Sequence, residues 1–239
     1  MNRSLILALL ALGPGFARVF CMDASVNVYA ADRYYYRFTN DASAGRIQYD
    51  ATVSGDVTSN LNVSFTFWGS EKMLFLSGGF TAPEEVDYQL NASWNEKTWS
   101  TGLIGNVYTP RAAFGEAGAY FDWLPEMPLE LANLLVEAAV YSDFRGVYGE
   151  FKVAPGVSLP LTPIVDVTLP VTLSAYAAGF DGLSGGGLAG LLIAPRMTLV
   201  FSSDWNASLT GGYFLSLGRA GSSYPFVSFK LGMKFGATQ

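Results

Sequence analysis

Histidine is absent from this chain of 239 residues, and cysteine occurs once, as Cys21. Without histidine, the chain can build neither a Ser-His-Asp triad nor a Cys-His nucleophile, and a zinc site is disfavoured. A single cysteine cannot form an internal disulfide bond. We therefore expect no catalytic residues, no metal ligands and no cofactor, and we do not expect an enzyme.

Charge is also scarce, since Asp, Glu, Lys and Arg make up 14% of the residues, whereas a soluble domain carries about 25%. The formal net charge of −6 does not supply the basic face that neutralises phosphates, so we expect no nucleic-acid partner. Hydrophobic residues make up 50% of the chain, which excludes disorder. The composition predicts a folded protein with few ions for a water-facing surface.

Long apolar runs are missing beyond the N-terminus, so membrane-spanning helices are not expected. The N-terminal run at 5–12 follows a short positive segment and is broken by glycine and proline, which is the layout of a secretory signal peptide. We predict a signal peptide over residues 1–21, cleaved after Ala17 or after Cys21. The remaining residues, 22–239, are predicted to form a single domain.

This remaining chain alternates apolar and polar residues with a period of two. In 227–235, for example, Val, Phe, Leu, Met and Phe alternate with Ser, Lys, Gly and Lys. Successive side chains of a strand point to opposite faces, so each segment has one apolar and one polar face. About twelve segments follow the pattern, and several reach the 9–11 residues that a transmembrane strand needs. They lie near residues 24–38, 45–55, 59–69, 84–95, 97–108, 115–124, 131–142, 146–154, 162–178, 187–202, 204–216 and 222–235.

The charged residues of these segments fall mainly on the polar parity. An Arg or Lys that faced lipid at mid-depth would cost about 2–4 kcal/mol. In lipid every backbone N–H and C=O must be paired, so the sheet must close on itself. The pattern predicts an all-β fold, a transmembrane antiparallel up-and-down β-barrel of about 12 strands. The predicted lumen-facing residues are Arg46, Asp50, Asp87, Glu116, Asp122, Glu150, Lys152, Asp166, Arg196, Lys230 and Lys234.

The connections between segments support a barrel. Short polar turns, such as 95–98, alternate with longer glycine-rich stretches at 69–83 and 179–187, which is typical of outer-membrane barrels. The pattern is less regular in the middle, where 124–132 and 154–162 are medium-length connections in place of short turns.

Three tryptophans lie beside short turns on the apolar parity, namely Trp94, Trp99 and Trp205. Amphipathic rings prefer the membrane–water boundary, so we predict a membrane-interface girdle. Ordinary packing of aromatic side chains across a hairpin is the alternative.

Two local features conflict with the strand pattern. Residues 127–139 are rich in helix formers, but we predict a strand there because the barrel context overrides propensity. Pro170 and Pro195 lie inside predicted strands, where each removes a ladder donor, so they are expected to mark bulges or local strand ends.

The mature chain resembles Gram-negative outer-membrane β-barrel proteins. Its segment Lys-Leu-Gly-Met-Lys-Phe at 230–235 looks like the terminal strand that such proteins present to the barrel-assembly machinery, although four residues follow Phe235. The strand at 85–88 and the hairpin of Trp94 and Trp99 also resemble a poorly characterised family of bacterial outer-membrane proteins. The resemblance implies that the chain is exported to the cell outer membrane. It also implies outer-membrane lipid as a partner, and the assembly machinery through the strand ending at Phe235.

Strand number bears on function. A barrel of about eight strands is filled by side chains and one of 16–18 strands holds a wide channel, so about twelve strands allow a narrow pore or a plugged one. The resemblance implies transport, since barrels of this size include channels for small sugars and nucleosides. We predict a passive channel for small polar solutes. The alternative is a non-transporting structural or surface-contact barrel that uses the loop at 69–83.

The lumen charges do not decide between these functions. Both signs are present, so ionic selectivity stays open, and a salt-bridged interior is equally consistent with them. An enzyme using carboxylates alone and a soluble exported β-sandwich are further alternatives.

Overall fold

A computed structural model of the chain describes residues 23–32, 34–36, 39–41, 45–74, 79–80, 85–109, 114–177, 179–180, 185–218 and 222–236. The predicted signal peptide at 1–21, with both cleavage positions, lies outside these ranges. Within them, no helix has the length and apolar character to cross a membrane.

The described chain is built from strands. In chain order these are β1 (Asp23–Ala31), β2 (Tyr34–Tyr36), β3 (Thr39–Asp41), β4 (Arg46–Asp56), β5 (Leu61–Leu74), β6 (Gly79–Phe80), β7 (Glu85–Asn95), β8 (Trp99–Thr109), β9 (Phe114–Trp123), β10 (Ala132–Ser142), β11 (Val147–Leu159), β12 (Ile164–Thr168), β13 (Val171–Tyr176), β14 (Gly187–Ile193), β15 (Arg196–Val200), β16 (Trp205–Ser216) and β17 (Tyr224–Phe235).

These strands close into one antiparallel barrel of 12 strands, as the sequence predicts. Each barrel strand pairs with its neighbours along the chain, and β1 pairs with both β4 and β17, so the sheet has no free edge. Two barrel strands are interrupted: β12 with β13 forms one, and β14 with β15 forms the other. The short strands β2 and β3 pair only with each other, and β6 pairs with β5.

The two interruptions lie at Pro170 and Pro195, where the sequence predicts bulges or strand ends. Proline has no N–H to donate to the ladder. The neighbouring backbone groups keep the wall connected: the Leu169 N–H donates to the Pro155 carbonyl at 2.8 Å, and the Ala194 N–H donates to the Pro170 carbonyl at 2.9 Å.

Residues 127–139, which are rich in helix formers, form part of a connection and part of a strand. Residues 124–131 form the connection, and β10 begins at Ala132. Because β10 is paired with β9 on one side and with β11 on the other, the ladder outweighs local helix propensity.

Several predicted boundaries are wrong. The strand predicted over 24–38 ends at Ala31, and the connection predicted at 154–162 is reduced to 160–163 because β11 continues to Leu159. In the predicted loop at 69–83, β5 continues to Leu74 and pairs with β6. At 69–83 and 154–162, glycine and proline suggested a break that the register with the neighbouring strand overrides.

The barrel has two distinct ends. At the terminal end, where β1 starts and β17 finishes, the connections other than 124–131 have three or four residues. The turn after β4 closes through the Val57 N–H, which donates to the Leu61 carbonyl at 2.8 Å. The opposite end, called the loop end here, holds the connection from β1 to β4 and the connection from β13 to β14. Large apolar side chains such as Leu90, Phe229 and Leu231 are exposed on the outer face.

Candidate functional site

The barrel interior is the candidate site, and the ladder register defines which side chains face it. Residues paired across a ladder share a face, so the parity opposite Leu90 and Leu231 faces the lumen. Hydrogen bonds between strands follow this parity: Asn27 Nδ2 donates to Asp50 Oδ1 at 2.7 Å, and the Tyr29 hydroxyl donates to Asp50 Oδ2 at 2.7 Å.

The register places all the predicted lumen residues on this interior parity. They are Arg46, Asp50, Asp87, Glu116, Asp122, Glu150, Lys152, Asp166, Arg196, Lys230 and Lys234. Four further carboxylates share it and are missing from the predicted set, namely Asp23, Asp56, Glu85 and Glu137. Glu85 could be found from the sequence, because it precedes Asp87 by two residues at the start of the strand and residues two apart share a face.

An aromatic cluster fills one side of the lumen at the loop end. Its buried members are Tyr148, Tyr176, Phe180, Phe214 and Tyr224, together with Ala189. The rings of Tyr148 and Phe180 lie 5.4 Å apart between centroids, and those of Phe214 and Tyr224 lie 5.3 Å apart. The strands that carry the cluster belong to the half of the wall running from β11 to β17, so the remaining passage lies off centre.

Two glycines allow Phe180 to reach this cluster. Gly179 has a φ of +97°, a conformation that side chains rarely adopt. A Cβ atom on Gly146 would lie 2.0 Å from the backbone N of Phe180. The cluster is not among the sequence predictions, although four of its aromatic residues share the interior parity of their strands.

The opposite side of the lumen at the loop end is polar. Gln89 Nε2 donates to Asn106 Oδ1 at 3.0 Å, and Asn106 Nδ2 donates to Glu116 Oε1 at 3.1 Å. The Tyr108 hydroxyl also donates to Glu116 Oε1, at 3.4 Å. This network links β7, β8 and β9 through the buried Glu116 carboxylate and supplies hydrogen-bond acceptors and donors along the barrel wall.

Charges of both signs lie near the middle of the lumen. Lys152 forms an ion pair with Glu137 on the neighbouring strand. Arg196 Nε donates to Thr210 Oγ1 at 3.3 Å, and the Lys230 ammonium lies 5.5 Å from the centroid of the Tyr29 ring. The described residues contain no group of three or more metal-ligating side chains.

The predicted girdle residues lie on the outer face near the terminal end. Trp94 and Trp205 are exposed, and Trp94 Nε1 donates to Glu96 Oε1 at 2.9 Å. Trp99 is partly buried and pairs across the ladder with Trp123, an exposed tryptophan of the outer face that the predicted set lacks. Their role at a membrane surface stays a prediction.

Solved structures of other proteins share this architecture. No protein-family model and no curated protein matches the chain. The solved structure of LpxR from Salmonella typhimurium is 11% identical with a TM-score of 0.54, covering 88% of this chain and 99% of its own. An outer membrane channel from Pseudomonas putida F1 is 10% identical with a TM-score of 0.53, covering 90% of this chain and 95% of its own. The KdgM porin in complex with disordered oligogalacturonate is 7% identical with a TM-score of 0.52, covering 89% and 98% respectively.

At these identities the likeness concerns the fold alone. The chain has the fold of outer-membrane β-barrel proteins, with 12 strands.

Proposed function

We propose that this chain is an outer-membrane channel through which small polar solutes diffuse passively. The observation that carries the proposal is Arg196. It begins β15, in the middle of an interrupted barrel strand, and its register with Thr168 and Thr210 directs it into the lumen. It is nevertheless exposed to solvent.

An exposed guanidinium halfway along the lumen indicates that water reaches the barrel interior. Arg196 makes no ion pair in the described part of the chain. An unpaired charge in a dry interior would carry a desolvation cost of several kcal/mol. Water around Arg196 removes that cost, and a hydrated interior is what a diffusion channel requires.

The dimensions of the barrel agree with a narrow channel. Twelve strands about 4.8 Å apart and tilted by about 45° enclose a cylinder about 25 Å across between backbone atoms. Side chains project inward from every wall, and the aromatic cluster of Tyr148 and Phe180 occupies one side. The remaining space suits small solutes and excludes folded proteins.

The proposal includes the location and partners of the chain. Export by the segment at 1–21 would deliver the chain to the outer membrane, where lipid would contact the apolar outer face. The strand ending at Phe235 would be recognised by the barrel-assembly machinery. The continuous exposed apolar face with Leu90 and Phe229 supports lipid contact, since water-exposed sheets seldom carry such a surface. No catalytic role is proposed.

Conductance in planar lipid bilayers tests the channel. Purified protein is expected to give steady open currents, and silence across all salt concentrations would contradict the proposal. A silent but correctly folded barrel would favour the alternative function, a structural or surface-contact barrel. The buried aromatic cluster at the loop end is the observation in favour of that alternative.

A pair of neighbouring cysteine variants shows whether the current passes through the lumen. In a Cys21→Ser background, Thr198→Cys places a thiol on the interior parity, and Met197→Cys places one on the exposed outer face. A negatively charged methanethiosulfonate reagent is expected to reduce the current through the Thr198→Cys channel only. Equal effects on both variants would contradict a lumenal path.

A further inference from the structure

The lumen carries two groups of opposite charge on separate strands. Four carboxylates of the lumen lie on β7 and β9. Glu85, Asp87 and Asp122 are called the acidic wall here, and the fourth, Glu116, is buried in the network with Asn106 and Tyr108. Three cations, Arg196, Lys230 and Lys234, lie on β15 and β17 and are called the basic wall. The sequence predicts charges of both signs in the lumen but does not assign them to opposite walls.

The strand order places the two walls across the lumen from each other. In one direction around the barrel, β5, β4 and β1 separate β7 from β17. In the other direction, β10, β11 and the interrupted strand formed by β12 and β13 separate β9 from β15. Three barrel strands therefore lie between the walls on each side, so the walls face each other across the diameter of a 12-stranded ring.

Neither wall is neutralised by ion pairs in the described part of the chain. None of the six side chains of the two walls forms one there. Ser100 Oγ donates to Asp122 Oδ2 at 3.3 Å, and Lys230 lies over the Tyr29 ring. The charges of Lys152 and Asp50 act on Asp122 and Lys230 from nearby strands without forming ion pairs with them. By contrast, Glu137 and Lys152, on the strands between the walls, form an ion pair with each other.

The walls differ in their depth along the barrel as well as in the sign of their charge. Glu85 begins β7 at the loop end, and Asp122 lies near the terminal end of β9. Lys230 lies near the middle of β17, and Lys234 lies near its terminal end. Asp122 therefore extends the acidic wall toward the depth of the basic wall. A solute inside the barrel is exposed to the charges of both walls.

Fixed charges of opposite sign on facing walls create an electric field across the passage, and low-dielectric surroundings focus it. A solute with an ammonium group and a carboxylate gains energy by turning its ammonium toward β7 and β9 and its carboxylate toward β15 and β17. An uncharged solute of the same size gains nothing from this orientation. A solute with a single charge is attracted by one wall and repelled by the other.

On the proposed channel function, we propose that the lumen favours small dipolar solutes, those with both an ammonium group and a carboxylate, over uncharged solutes of equal size. Alanine and lactamide are suitable probes because they are isomers, and only alanine is a zwitterion near neutral pH. In swelling of proteoliposomes that contain the full barrel, alanine is expected to enter about two- to fivefold faster than lactamide.

Neutralising the basic wall tests the cause of this preference. The double variant Arg196→Gln with Lys230→Gln is expected to lower the ratio of alanine to lactamide entry to about one, with lactamide entry retained. The matched control is Glu137→Gln with Lys152→Gln. It removes the same number of charged side chains from strands between the walls, and the ratio is expected to stay as in the unmodified protein.

Neutralising the acidic wall is an independent test of the same preference if the basic-wall variant does not fold. Asp87→Asn with Asp122→Asn is expected to lower the same ratio, because a field across the passage needs both walls. A ratio of about one in the unmodified protein, with lactamide entering freely, would overturn the dipolar preference and leave the channel intact. A preference that survives neutralisation of either wall would overturn it as well. Failure of both solutes to enter, together with silence in bilayers, would instead reject the channel itself.

Discussion

The ring of Phe180 stacks on the ring of Tyr148 inside the barrel, with centroids 5.4 Å apart and an interplanar angle of 23°. Phe180 belongs to the connection between β13 and β14, whereas Tyr148 belongs to β11. Both side chains are almost fully buried. The contact therefore fixes a loop residue to the wall, and the loop's aromatic ring takes up space in the lumen at the loop end.

Removal of the Phe180 ring is expected to destabilise the barrel and enlarge the passage. Deleting a buried phenylalanine side chain costs about 3–5 kcal/mol in protein cores. Phe180→Ala should therefore lower the thermal unfolding midpoint in detergent and raise single-channel conductance. Phe201→Ala is the control, because Phe201 is exposed in a terminal-end turn. Equal conductance of Phe180→Ala and the unmodified protein would show that the ring does not border the passage.

Gly146 is expected to tolerate no side chain. A Cβ atom there would meet backbone atoms of Phe180 and Gly179, which cannot move away as a flexible side chain can. Gly146→Ala should displace the Phe180 backbone and reproduce both effects of Phe180→Ala. At Gly149, on the same strand, the nearest atom to an added Cβ is the Ala139 carbonyl oxygen at 3.7 Å, an ordinary contact. Gly149→Ala should therefore leave both the unfolding midpoint and the conductance unchanged.

The sequence predicts the barrel well because a membrane strand must keep one parity for lipid and the other for the lumen. Asp87, Arg196 and Lys230 could be placed inside from this parity alone. Pro170 and Pro195 were recognised as interruptions because the lack of an N–H is a property of the residue itself. Strand ends such as Leu159 were missed because they depend on pairing with a neighbour, which local composition does not contain.

The aromatic cluster shows where sequence reasoning ends. Tyr148 and Phe214 share the interior parity, and their alternation is visible in the sequence. Phe180 lies in a loop without any period, and its burial depends on the close approach that Gly146 permits. The separation of the acidic and basic walls also required the strand order around the closed barrel, which places β7 across from β15 and β9 across from β17.

The ion pair of Glu137 and Lys152 is expected to balance the charge of the lumen. Lys152→Gln would leave the Glu137 carboxylate uncompensated, so cation permeability should rise relative to anion permeability. Glu137→Gln would leave the Lys152 ammonium uncompensated, and the ratio should fall. Reversal potentials measured across a KCl gradient test both changes, each by about two- to threefold in the permeability ratio. A shift in the same direction for both variants would show that the pair does not act through its charge.

Leu90 and Asn91 test which parity contacts lipid. Leu90 is 57% exposed on the outer face, and its neighbour Asn91 faces the lumen, where its Nδ2 donates to the Tyr120 hydroxyl at 3.3 Å. An arginine facing the bilayer midplane costs about 2–4 kcal/mol. Leu90→Arg should therefore lower the yield of folded barrel in phospholipid vesicles far more than Asn91→Arg does. The reverse order would mean that Leu90 does not contact the hydrocarbon region.

A surface ion pair links two neighbouring turns at the terminal end. Lys97 Nζ lies 2.5 Å from Glu126 Oε1, and both side chains are largely exposed. The hydrogen bond from Lys97, with its positive charge, lowers the pKa of Glu126 below its ordinary value of 4.5. The same hydrogen bond and the charge of Glu126 raise the pKa of Lys97 above 10.5.

These shifts set the sign of the pH dependence. A carboxylate whose pKa is lowered by folding stabilises the fold above its unfolded pKa, and this contribution is lost as pH falls through the folded pKa. An amine whose pKa is raised stabilises the fold below its unfolded pKa and loses this contribution as pH rises through the folded one. The pair is therefore intact between about pH 5 and about pH 10.

Glu126→Gln is expected to remove the acid-sensitive part of this contribution. Between about pH 7 and about pH 3, the unfolding midpoint of the unmodified protein in detergent should fall slightly more than that of Glu126→Gln. Glu130→Gln is the control, because Glu130 is exposed in the same connection and makes no ion pair in the described structure. High salt should shrink the difference between the unmodified protein and Glu126→Gln, since exposed pairs are screened. A difference that is the same for both variants, or that grows with salt, would show that the two turns are not held together by this pair.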